Sequence, residues 1–124
     1  MVFDYAQELL DPLFNATEYI VALSKIDGKL IRLNEIGWEI LRIPRSKLGS
    51  FNVNNLYLHR DIRRTIIKKL YQNNIVKDLR IHAKSYENSL LYVECNFFRL
   101  ANGYILAIIS DLTEFILKCS EKVA

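Results

Sequence analysis

Hydrophobic positions in this chain recur with two different periods, and the switches between them outline its elements. Phe3, Ala6, Leu10 and Leu13 follow a 3-4-3 spacing that Leu9 widens, which predicts an amphipathic helix over residues 2 to 10. Asp11-Pro12 interrupts the stripe. Proline removes a donor from a helix interior but suits a first helical position, so Asp11 is expected to cap a second short turn. Tyr19 to Ser24 is apolar and partly β-branched, as a buried strand requires. Asp27-Gly28 then makes a tight turn into a return strand, Lys29 to Leu33. Asn34 suits the N-cap of a helix running through Leu41, with Ile36, Trp38, Ile40 and Leu41 as apolar contacts and Pro44 as its stop.

Residues 45 to 58 lose the periodicity. Asn52, Asn54 and Asn55 favour turns, while Leu48, Phe51, Val53, Leu56 and Leu58 remain for burial around one or two helical turns. Helical spacing returns from Arg60 to Asn73 in Ile62, Ile66, Ile67 and Leu70. Arg60, Arg63, Arg64, Lys68 and Lys69 occupy much of the rest, a basic run that reads as a solvated face, and Asp61 suits the helix dipole. Three strands follow. Leu79, Ile81 and Ala83 alternate with Asp78, Arg80, His82 and Lys84; after a turn at Tyr86 to Ser89, Leu91, Val93, Cys95 and Phe97 alternate with Tyr92, Glu94, Asn96 and Phe98. Asn102-Gly103, both tolerant of positive φ, predicts a two-residue hairpin turn into the apolar run Tyr104 to Ser110. Hairpin-linked strands make an antiparallel sheet, and the helices between them must cover one of its faces.

At 124 residues, with 51% hydrophobic and 25% charged, the chain is one domain with a single core. The net charge of +3 is mild, and the basic run lacks interleaved aromatics, so no direct nucleic-acid binding is expected. No apolar stretch reaches the roughly 18 residues that cross a bilayer. Met1-Val2-Phe3-Asp4-Tyr5 lacks the form of a signal peptide, so a cytoplasmic location without direct membrane insertion is the expectation. Tethering through flanking segments stays open, because the chain stops inside an apolar-periodic tail, as a piece of a longer protein would. Cys95 and Cys119 are too few for a disulfide framework or a zinc site, and Cys95 fits a strand core. No Gly-rich phosphate loop, metal-ligand spacing or nucleophile motif appears, so no enzymatic activity is expected.

Several stretches, in order, resemble those of a PAS sensory domain. Gly28-Lys29-Leu30-Ile31-Arg32-Leu33-Asn34 is similar to that family's turn, second strand and helix-opening asparagine. Leu48-Gly49, His59-Arg60-Asp61, the Asn102-Gly103 hairpin and the closing Asp111-Leu112-Thr113-Glu114 extend the resemblance over roughly residues 11 to 116. It implies an α+β fold: a five-stranded antiparallel sheet in the order 2-1-5-4-3, helices on one face, and an N-terminal amphipathic helix. The implied divisions are residues 1–14 as a cap or dimerisation helix, 15–114 as the PAS core and 115–124 as the start of a C-terminal signalling helix. A ligand-sensing or relaying homodimer is implied, coupled to an output domain such as a histidine kinase or transcription regulator in the same or a partner chain.

Candidate sites follow from these readings. An apolar set, Trp38, Leu41, Leu56, Leu58, Ile66, Leu70, Phe97 and Ile109, is expected either to fill a core or to line a pocket for an apolar small molecule, with no cation placed inside it. Phe3, Ala6, Leu9, Leu10 and Leu13 are expected either to pack on their own sheet or to form the dimer interface. Asp111 and Thr113 can cap the strand exit, and with Glu114 they are the expected signal relay, passing strain to the apolar spacing Ile116, Cys119/Ser120, Val123. No catalytic residue, metal site or cofactor is expected, although haem or non-covalent flavin stays open as an alternative, as does a purely structural dimerisation module. The family's light-sensing cysteine motif is missing. The position of its haem-binding histidine falls near Ile66, while His59 suits a cap or surface role and His82 a solvated one.

Overall fold

The structure, a computed structural model, describes residues 7–15 and 18–123, with side chains described over 10–15 and 18–119. Its elements are α1 (Gln7–Asn15), β1 (Ile20–Lys25), β2 (Leu30–Leu33), α2 (Glu35–Leu41), α3 (Asp61–Asn73), β3 (Ile75–Lys84), β4 (Leu90–Arg99), β5 (Tyr104–Asp111) and α4 (Thr113–Val123). Two 3-10 turns, Arg45–Lys47 and Val53–Leu56, lie between α2 and α3. The strands form one sheet in the order β2-β1-β5-β4-β3, with every neighbouring pair antiparallel.

Strand alternation sorts the side chains into two cores. Ile20, Ala22, Ile105, Ala107, Val93, Cys95 and Phe97 point inward with Leu41 of α2 and Ile66 and Leu70 of α3. Val21, Leu23 and Leu106 point to the other face, where Phe14, Leu10 and Leu13 of α1 cover them. Asn34 joins the layers: its Oδ1 accepts from Gly37 N and Val21 N, both at 3.0 Å, so one side chain caps α2 and holds it to β1. Gly37 permits this close approach, since a Cβ there would sit 2.3 Å from Leu33 Cδ1.

Five local expectations change. Pro12 does not break α1 but lies inside it; its ring faces solvent while Leu13 and Phe14 gain burial on the sheet, which offsets the lost hydrogen bond. Helix α2 ends before Pro44 takes effect, through Arg42 in the left-handed conformation (φ 57°) with its N–H on Trp38 O. The final hairpin is one residue longer than a two-residue turn: Ala101, Asn102 and Gly103 separate Leu100 from Tyr104, with Asn102 and Gly103 at φ 63° and 79°. Leu48 and Leu58 are exposed, because the loops carrying them run over the surface. Arg63 is not part of a solvated face. It is 7% exposed, on the same stripe of α3 as Ile66 and Leu70.

Candidate functional site

Between the inner sheet face and the helices lies a cavity of about 60 Å³. Small residues make it: Ala22, Ala83 and Ala107 project inward from β1, β3 and β5, where larger side chains would close the gap. Leu41, Ile81, Leu91, Val93 and Phe97 complete an apolar wall. Its polar members are Ser24, Tyr57 and Arg63, with the Cys95 thiol beside them.

Arg63 is placed by the first turn of α3. Its Nη2 donates to the carbonyls of Lys25 (3.2 Å) and Ile26 (3.4 Å) at the end of β1, and its Nη1 to the Tyr57 hydroxyl (3.4 Å). All three acceptors are neutral and the contacts long. Among the described residues Nε has no hydrogen-bond partner, although it is shut away from solvent. Tyr57 is set over the sheet by an isolated bridge to Ala83. Burial pushes its phenol above the ordinary value, against the opposing pull of Arg63. Burial also pushes the Cys95 thiol up to about 12, with a smaller contribution from Glu94, so this sulfur is a protonated wall atom at neutral pH.

Of the apolar set read from the sequence, Leu41, Leu56, Phe97 and Ile109 border the cavity. Ile66 and Leu70, each 1% exposed, are core residues away from its wall. Trp38 is half-buried and packs against the inner core without reaching the cavity wall, with the Arg45 guanidinium 5.2 Å above its ring. Leu58 is exposed. His59 and His82 are exposed, and His82 stacks edge-on against Tyr92 at 4.8 Å. The residue missed was Arg63. Its spacing to Ile66 and Leu70 is that of one helix face, a signal hidden by reading the basic run as a block.

In the proposed interface, Phe3 and Ala6 lie outside the described residues, as does the side chain of Leu9. Leu10 and Leu13 are half-buried against the outer core of their own sheet.

The strand exit is tightly bonded. Asp111 Oδ1 accepts from Thr113 N (3.0 Å) and from Thr113 Oγ1 (2.5 Å), and Thr113 Oγ1 accepts from Tyr92 N (2.9 Å). Tyr92 O accepts from Leu112 N at 2.7 Å. Both backbone groups of Tyr92 in β4 are therefore bound to the segment that opens α4, and its neighbours Leu91 and Val93 border the cavity. The Glu114 carboxylate is exposed, 3.0 Å from Lys118, a pair worth little in water. Among the described residues there is no cluster of His, Cys, Asp and Glu suited to a metal, and no helix long and apolar enough to cross a membrane.

No family model matches the chain, and no curated protein does. Solved structures do. A domain of a sensory box sensor histidine kinase/response regulator from Geobacter sulfurreducens is similar at 15% identity and a TM-score of 0.70, over 84% of this chain and 92% of that one. The PAS domain of a protein from Colwellia psychrerythraea reaches 0.72 at 14% identity, over 86% and 97% of the two chains. The LOV domain of a blue-light activated histidine kinase from Erythrobacter litoralis reaches 0.63 at 16% identity, over 78% and 98%. With these likenesses and the sheet order β2-β1-β5-β4-β3, the chain has the PAS fold.

Proposed function

We propose that this chain is a cytoplasmic sensory module without catalytic activity of its own, which regulates a separate output domain. The observation that carries this reading is the bonded path from the cavity wall through Tyr92 to Thr113, Asp111 and the start of α4. A change at Leu91 or Val93 shifts the β4 backbone. The Tyr92 N–H and carbonyl transmit that shift to Leu112 and Thr113, and the pitch of α4 follows. The likeness to domains of sensor histidine kinases supports a histidine kinase as output. Pairing of two copies belongs to the same proposal, with α1 and the exposed Phe115 and Leu117 of α4 as the meeting surfaces.

A module without haem or flavin belongs to the same proposal, supported by a wall that has no histidine among the described residues and by about 60 Å³ of space, far below the roughly 300 Å³ at which pockets for larger ligands begin. The purified protein should therefore be colourless.

The relay is tested by Thr113→Ala in a longer chain carrying an output domain. Regulation should be lost while the cavity and fold are kept, as judged by near-ultraviolet circular dichroism. Unchanged regulation would overturn the relay. Native mass spectrometry of the isolated chain addresses pairing: a dimer supports it, and a monomer at micromolar concentration rejects it for this chain.

A further inference from the structure

A guanidinium removed from water is costly unless an anion offsets the loss. Arg63 is 7% exposed, yet the ion pairs among the described residues all involve other side chains. A guanidinium has five N–H donors, and Arg63 has three contacts, all long and all to neutral oxygens. Nε–H is among the donors left over. Among the described residues no Asp or Glu stands in the cavity wall that Arg63 helps to form. The cavity thus combines an uncompensated positive charge with an apolar interior.

We propose that this cavity binds a small monocarboxylate with a short aliphatic tail, its carboxylate against Arg63 and its tail among Ala22, Ala83 and Ala107. The planar fork of a guanidinium matches the two oxygens of a carboxylate. The tail is required by the wall, because an inorganic anion would leave apolar surface unfilled, and phosphate would bury oxygens without partners. Size sets the upper limit: about 60 Å³ is well under the roughly 150 Å³ that accommodates benzene, which restricts the tail to a few carbons. The Tyr57 hydroxyl, 3.4 Å from Nη1, stands beside the charge as a second donor. This deepens the sensory reading, and rests on it only for the consequence of binding, since occupancy is measured on the isolated chain.

The test is calorimetric titration of the chain with sodium propionate, with propionamide and sodium chloride at matched ionic strength as comparisons. Saturable binding of propionate is expected, with propionamide at least about tenfold weaker and no saturation by chloride. Arg63→Met, similar in length and uncharged, should lose tenfold or more, and Arg63→Lys should recover part of the loss. Ala107→Val fills the cavity without touching the charge and should abolish binding, so the question stays decidable if the methionine variant does not fold. Absence of saturation on the order of 10 mM propionate would overturn the proposal. So would equal binding of the amide, or unchanged binding by Ala107→Val. Binding without regulation in a longer chain would overturn the sensory reading alone; regulation without binding would overturn this site alone.

Discussion

The two faces of the sheet are built from the same strands and packed in opposite ways. On the outer face Val21 and Leu23, each 0% exposed, meet Leu106 and Phe14 in a small core closed by α1. On the inner face the same strands present Ala22 and Ala107, and a hollow remains beneath Leu41, Val53, Tyr57 and Arg63. The outer face is packed for stability, and its one described ion pair, Arg32 with Asp11 beside the Phe14 ring, is closed at 2.7 Å. The inner face keeps space, a buried cation, a half-buried phenol and a buried thiol. One alternation of residues along a strand thus separates what holds the fold from what the fold can hold.

The largest expected effect separates the faces by truncation. Leu23→Ala should cost about 4 kcal/mol and Leu91→Ala about 2 kcal/mol, because the first opens a new void in a filled layer while the second enlarges an existing one. Equal losses in urea denaturation would break the comparison. Next comes alkaline pH. The Cys95 thiol ionises near 9.0 when unfolded and at about 12 when folded, so its stabilisation is complete below pH 9 and declines as pH rises through that window. The slope should approach 1.4 kcal/mol per pH unit for this proton, and Cys95→Val should flatten it; an unchanged slope would remove Cys95 as its source. The smallest effect comes from adding carbon. Ala107→Val on the inner face should raise stability by about 1 kcal/mol, whereas Val21→Leu on the outer face should lower it by about 1 kcal/mol. Equal signs in thermal denaturation would mean that the hollow is no real void.

The strands and the Asn34 cap were legible because period-two alternation, a glycine turn and a capping amide act locally, whereas the order of the sheet came only with the resemblance, because β1 pairs with a strand about 80 residues away. The pairing of Leu91, Val93, Cys95 and Phe97 on one face follows from alternation alone, and all four are buried. The cavity was legible only in part. Leu41, Leu56, Phe97 and Ile109 reach it, but Trp38 packs on the core beside it, because Gly37 and Leu41 take the fully buried stripe of α2. Arg63 was hidden by its class: charge predicts exposure on average, and only contacts 37 and 38 residues away in sequence reveal a buried partner. Pro12 was misread because burial of Leu13 and Phe14 outweighs a local preference that sequence alone makes visible.

The strand order has a kinetic consequence. The β1–β2 and β3–β4 hairpins each close over a short loop, so either can form as soon as its own residues are available. Their edges meet only through β5, which pairs with β1 on one side and β4 on the other. The sheet therefore cannot close until Tyr104–Asp111 is in place, and the slow, long-range step of folding falls at the last strand. Because α4 follows that strand after a single residue, the segment that would carry the signal is ordered by the same event that completes the domain.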